Sequence, residues 1–235
     1  MLWLLTCSKN NRMPDPSYVH AAFSSIAARY VTANHLLSLG ADILWRARAI
    51  EKIAEWRPHR LLDIATGTGD LALAVQRALP EVEVVGTDFC RPMLDVAAKR
   101  GLRHILEADA MNLPLPDASF DVATVAFGLR NMADYAQALQ EFRRILIPGG
   151  HLLVLDFSMP AGLLAPPYRL YLHHVLPRIA GFITGNGAAY DYLGESIESF
   201  PRDKAFSELL ESCGYSMPTR LPLLSGIASI YTAQA

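Results

Sequence analysis

The most constraining stretch of the chain is Arg60-Leu61-Leu62-Asp63-Ile64-Ala65-Thr66-Gly67-Thr68-Gly69, a short apolar run that stops on two glycines. Helix-forming text from Asp70 to Ala78 follows at once. A run of this length and composition reads as a buried strand, and the glycine turn into a helix makes it the opening of a β-α-β unit. The alternation continues: strands are predicted at Val82–Thr87, His104–Glu107, Asp121–Phe127 and His151–Phe157, with helices at Pro92–Arg100 and Tyr135–Leu146. Strands that alternate with helices imply a parallel sheet covered on both faces.

The flanks complete this frame. From Ser17 to Glu55 apolar positions such as Phe23, Ile26 and Tyr30 recur at helical spacing, so residues 17–56 are predicted to be N-terminal helices, preceded by a flexible tail over 1–16. After Ser158 the alternation breaks into a Pro-, Gly- and aromatic-rich insertion, assigned as a substrate lid over 159–200. Arg202–Ser212 reads as the delayed helix, and Met217–Leu224 with Gly226–Thr232 as neighbouring strands. The expected fold is a single α/β domain over 17–235. It is Rossmann-like and doubly wound, with a mostly parallel seven-stranded sheet and an antiparallel C-terminal hairpin.

Composition narrows the functions open to such a frame. Lys+Arg number 21 and Asp+Glu 23, a net charge of −2, so a basic surface for nucleic acid is not expected. Cys7, Cys90 and Cys213 lie too far apart for a disulfide framework or a zinc site, and no metal is expected. Met1–Cys7 is apolar but lacks a basic leader, and no window reaches the roughly 20 apolar residues of a membrane span. A cytoplasmic location, at most peripheral to the inner face of the membrane, is the expectation.

Gly67-x-Gly69-x-x-Ala72 after a strand, with Asp88 closing the next strand about 20 residues on, satisfies a dinucleotide-binding fingerprint. Two cofactors fit its physics. Glycines let backbone N–H groups approach a ligand, the helix start favours an anion, and a carboxylate takes ribose hydroxyls. For NAD the anion is a pyrophosphate; for S-adenosylmethionine (SAM) it is an amino-acid carboxylate. Asp63, four residues before Gly67, favours SAM, since it suits the ammonium of a methionine moiety and repels a diphosphate. Asp70 adds a second acid, with a plain alternative role in the first helical turn. Asp109, in Glu107-Ala108-Asp109-Ala110 after the third strand, is placed to accept from an adenine amino group.

With these features stand Leu113-Pro114-Leu115-Pro116-Asp117-Ala118-Ser119-Phe120-Asp121, Phe127-Gly128-Leu129-Arg130-Asn131, Arg144-Ile145-Leu146-Ile147-Pro148-Gly149-Gly150, and Tyr192-Leu193-x-Glu195-Ser196-Ile197 leading to Phe200-Pro201. On these stretches, from about Tyr30 to Thr232, the chain resembles the ubiquinone/menaquinone biosynthesis C-methyltransferase family, a branch of the class I SAM-dependent methyltransferases. The resemblance implies SAM as donor, S-adenosylhomocysteine as product, and methylation of a ring carbon of a small, lipophilic prenylated quinol, demethylmenaquinol being the simplest. The cofactor-binding set is then Asp63, Thr66, Gly67, Thr68, Gly69, Asp88, Asp109, Ala110 and Ala126. Departures from the family pattern include Val31, Ala33 and Asp42 near the N-terminus, Ala126 for a common Ser and Asp156 for a usual Glu. They bear on the acceptor more than on the cofactor.

Methyl transfer from a sulfonium needs alignment, dryness and a means to hold a phenolate. Arg130 and Asn131, beyond the fourth strand, are the leading catalytic candidates and substrate contacts, against a plain reading of Arg130 as a loop tie. Asp156 is read as a base or as a cap for the following turn. Tyr30 and Tyr190 either close over the acceptor ring or serve as amphipathic filler. The insertion is either a roof or a greasy entrance touching the membrane surface, and a homodimer is a further expectation. Three other readings stay open: another phenolic or small-metabolite acceptor, a non-catalytic SAM-binding scaffold, and an NAD-dependent oxidoreductase, for which a Tyr-x-x-x-Lys pair is absent.

Overall fold

A computed structural model of the chain describes residues 38, 40–176, 178 and 188–235. The tail, Tyr30 and most of the predicted N-terminal helices lie outside these residues. The described part opens with helix α1, Ala41–Trp56, then β1, Arg60–Ile64, and α2, Asp70–Ala78. β2, Glu83–Asp88, α3, Arg91–Lys99, β3, His104–Glu107, and β4, Phe120–Ala126, follow. A 3₁₀ turn at Leu129–Asn131 leads to α4, Tyr135–Ile145, and β5, Leu146–Phe157. The insertion contributes α5, Ala165–Leu170, which runs into a π-turn at Tyr171–Val175, and α6, Ala188–Ser199. α7, Lys204–Ser212, β6, Ser216–Leu223, and β7, Ala228–Gln234, close the chain.

The seven strands form one sheet in the order β3-β2-β1-β4-β5-β7-β6. β1 to β5 are parallel, while β7 pairs antiparallel with both β5 and β6. Strand order reverses between β1 and β4, and at such a switch point the connecting loops part and leave a crevice at the carboxyl ends. The winding shows in the period-two sorting of strand side chains. Leu61, Val122, Leu153 and Leu155 pack with Trp45, Ala49 and Ile53 of α1 and Leu71 and Val75 of α2. Their neighbours Leu62, Ala123, Val125, Leu152 and Val154 pack on the other face with Phe142 of α4 and Phe206 and Leu210 of α7.

β5 begins five residues earlier than the predicted His151, taking in Pro148-Gly149-Gly150. Phe120 pairs with Leu146, and Gly149 N–H donates to the Ala235 carbonyl at 3.0 Å, so pairing on both sides overrides residues that locally break structure. Asp134 caps α4 as its side chain accepts from Gln137 N–H at 2.9 Å.

Candidate active site

A cleft enclosing about 1190 Å³, part of it open to solvent, lies over the carboxyl ends of β1, β2 and β4. Arg46, Asp63, Thr66, Gly67, Asp70, Asp88, Asp109, Ala110, Ala126 and Asn131 are among its lining residues. Four carboxylates and one guanidinium line it, and Arg100 pairs with Asp70 at 2.6 Å from outside the lining, so acids still outnumber cations and the setting favours a cationic ligand over a diphosphate. Ala65 and Phe127, just past β1 and β4, both hold left-handed backbone (φ 51° and 59°) and both line the cleft.

The loop after β1 is built on Asp88. Gly67 N–H donates to Asp88 Oδ2 at 2.8 Å and Cys90 N–H to Oδ1 at 2.9 Å, which fixes the carboxylate at the cleft wall. Gly69, at φ 81°, starts α2, and a Cβ there would stand 3.1 Å from Ala97 Cβ, so its role is close packing of α2 on α3. Thr68 is buried, and its carbonyl accepts from Arg100 Nη1 at 2.7 Å. Thr68 and Gly69 support the loop from below rather than line the cleft. Asp109 is exposed and accepts from Met111 N–H at 2.9 Å, an Asx turn that keeps Ala110 at the cleft edge.

Asp63 is only 1% exposed, at the floor of the cleft. Its oxygens accept from the hydroxyls of Thr66 and Thr124, both at 2.6 Å. Burial pushes its carboxyl up to about 6, against the pull of Thr124, Thr66, the Ala72 amide and the Arg46 charge. Two buried polar atoms of cleft-lining residues, Arg46 Nε and Thr87 Oγ1, have no hydrogen-bond partner among the described residues. A cleft built around a polar ligand leaves such groups unpaired until the ligand arrives.

Arg130 and Asp156 form a second centre beside the cleft. Both are buried, and Arg130 Nη1 donates to Asp156 Oδ1 at 2.7 Å and to the Phe127 carbonyl at 2.5 Å. Asp156 also accepts from Phe157 N–H at 2.8 Å, so the turn after β5 and the ion pair share one carboxylate. Burial raises the Asp156 acid, opposed by Arg130 and the backbone amides. The guanidinium sits 5.2 Å from the Phe157 ring centroid, and its charge reaches the hydroxyls of Tyr135 and Tyr168. Arg130 and Asp156 therefore stand outside the cleft lining, on the side of the insertion, while Asn131 bridges to the cleft. Tyr30 and the side chain of Tyr190 lie outside the described residues.

The family model described as the ubiE/COQ5 methyltransferase family matches residues 8–235. The chain belongs to this family. A demethylmenaquinone methyltransferase of Thermus thermophilus is 49% identical over 89% of this chain and 97% of its own length. A ubiquinone/menaquinone biosynthesis C-methyltransferase of Syntrophotalea carbinolica is 45% identical over 89% and 91%. Among solved structures, a SAM-dependent methyltransferase from Thermotoga maritima superposes with a TM-score of 0.64 at 19% identity, covering 90% of this chain and 98% of that one. That likeness is one of fold.

Within the ubiE/COQ5 frame the residue that sequence reasoning missed is Arg46. It is 8% exposed, its Nη1 bonds Asp42, and its Nη2 lies 3.7 Å from Asp70. Nothing local separates it from Arg48 and Lys52 on the same helix, which point to solvent and pair with Glu51 and Glu55. Phe127 and Met132 also line the cleft without a sequence signal beyond their place after β4.

Proposed function

We propose that this family member transfers a methyl group from SAM to a ring carbon of a prenylated quinol of the demethylmenaquinol type. The observation that carries the reading is the acid-rich cleft at the switch point, with Asp88 at the end of β2 placed for ribose hydroxyls, Asp63 on the floor for an ammonium, and Asp109 at the rim for a purine amine. A diphosphate would meet Asp63 on the cleft floor, which disfavours NAD and an oxidoreductase. When bound, the sulfonium supplies an already activated methyl group, so no metal or covalent enzyme intermediate is needed.

The chain's own part is to orient the acceptor, keep water out and hold a phenolate. Asn131 orients a ring oxygen at the cleft edge. Arg130, buried beside the cleft, acts by its charge rather than by a direct bond. It favours the phenolate that forms when the acceptor hydroxyl gives its proton to water, and that phenolate makes the ring carbon nucleophilic; the ring proton displaced by the methyl group leaves to water in turn. Asp156 acts through Arg130: with its oxygens on the guanidinium and on backbone amides, it fixes the fork's direction. Phe127, Phe157, Tyr168 and Tyr171 give this side an apolar wall suited to a quinol.

The insertion supports an approach from a lipid surface. Leu163, Leu164 and Leu170 are 95%, 51% and 57% exposed, and no Asp or Glu occurs between Asp156 and Asp191, whereas Arg169 and Arg178 do. Leucines exposed in this way suit insertion into the surface of a lipid layer. Among the described residues no helix is long and apolar enough to cross a membrane.

The decisive experiment incubates the protein with methyl-labelled SAM and a panel of quinols, phenols and hydroxylated metabolites, reading product mass and methyl position. Ring-carbon methylation of a prenylated quinol is expected. Transfer to oxygen or nitrogen alone would overturn the reading, and cofactor binding without any transfer would make the protein a scaffold.

A further inference from the structure

We propose that Arg46 recognises the carboxylate of the cofactor's amino-acid end, so that the site selects a nucleoside carrying a full α-amino acid. This inference rests on the SAM-dependent reading above and deepens it.

Arg46 comes from outside the β-α-β frame. Asp63 has the same strand parity as Leu61, so it points to the sheet face that α1 covers, and the packing of Trp45, Ala49 and Ile53 there brings Arg46 over the first loop. The side chain is held on one side only. Ser38 Oγ donates to Asp42 Oδ1 at 2.6 Å, and Asp42 in turn binds Arg46 Nη1. The remaining edge, Nε and Nη2, is the one a carboxylate takes with two parallel hydrogen bonds. Nε is buried without a partner among the described residues, and Nη2 has Asp70 only at 3.7 Å. The guanidinium lies 5.8 Å from the Phe127 ring centroid, and the residue lines the cleft together with Asp63, Thr66 and Gly67.

A cation fork beside a buried acid is a template for a zwitterion. Asp63 takes the ammonium, Arg46 the carboxylate, and each ligand charge meets its opposite within one end of the cleft. A ligand with the ammonium but no carboxylate leaves the Arg46 edge buried and unpaired, which by the usual strength of charge-assisted hydrogen bonds lowers affinity about ten- to hundredfold.

The test is titration calorimetry with S-adenosylhomocysteine and with decarboxylated S-adenosylhomocysteine, the same thioether ending in a propylamine. Wild-type protein should prefer the carboxylate-bearing ligand by about ten- to hundredfold. Arg46→Met should lose that factor for S-adenosylhomocysteine, leave the decarboxylated ligand within about twofold, and bring the preference near unity. The pair is measured again in Asp42→Asn/Arg46→Met, where no acid is left uncompensated in α1. Equal weakening of both ligands in these variants, or no preference in wild type, overturns the inference while the methyltransferase reading stands. A wild type that takes up neither ligand overturns both.

Discussion

Asp63→Asn replaces a buried carboxyl by a neutral group of the same shape, and its effect on the ligand-free protein has a calculable pH dependence. Burial raises the acid from its ordinary 3.8 to about 6. The folded state therefore keeps a proton that the unfolded chain has already released. The stabilisation this confers is fully present below pH 3.8 and is lost as pH rises through about 6. A shift of about 2 units at about 1.4 kcal/mol each sets the whole effect near 3 kcal/mol, most of it falling between pH 4 and pH 8. Asparagine cannot ionise, so the unfolding free energy of wild type minus that of Asp63→Asn should drop by about 2–3 kcal/mol across that window. Urea unfolding at half-unit pH steps measures it, and other carboxylates cancel in the difference. A flat difference would refute the reasoning, because it would mean that the Thr66 and Thr124 hydroxyls offset the burial in full. The same titration with S-adenosylhomocysteine extends the test. A ligand ammonium selects ionised Asp63, so wild-type affinity should fall by up to about tenfold per pH unit below 6, and Asp63→Asn should remove that slope.

Arg130→Met leaves Asp156 buried and uncompensated; it should cost about 3–5 kcal/mol in denaturant unfolding and abolish turnover. Arg130→Met/Asp156→Asn should regain most of the stability but none of the turnover, and recovered turnover would remove Arg130 from catalysis. Gly128→Ala brings a Cβ to 2.6 Å from Ala65 Cβ, with Val125 at 3.2 Å, so it should push the β1 and β4 loops apart. A loss of about 1–3 kcal/mol in thermal unfolding and weaker S-adenosylhomocysteine uptake by calorimetry are expected. Leu163→Glu/Leu164→Glu should lower co-flotation with anionic liposomes severalfold while leaving cofactor affinity unchanged; equal flotation of variant and wild type would end the lipid-contact reading.

Much of the frame was legible because it is written locally. Apolar runs bounded by glycine and proline, alternating with helical spacing, give β1 to β4 and their helices within a residue or two, and the same reading gives the antiparallel close of the sheet. Asp63, Thr66, Gly67, Asp88 and Asp109 gather at one cleft because they sit at the ends of strands or in the loops just after them, and parallel strands deliver their carboxyl ends to one edge. The start of β5 was not legible, since Pro148-Gly149-Gly150 breaks structure locally and joins the sheet only through its pairing partners.

The sequence by itself determined the order of strands and helices, the glycine turn and the acids around it, because side-chain periodicity and turn chemistry act over a few residues. Only the tertiary structure decided that Arg46 rather than Arg48 reaches the cleft, and that Arg130 and Asp156, from different loops, share one buried pair. Charges distant along the chain meet through the packing of helix on sheet. Their partners are fixed by burial, which no local pattern of residues encodes.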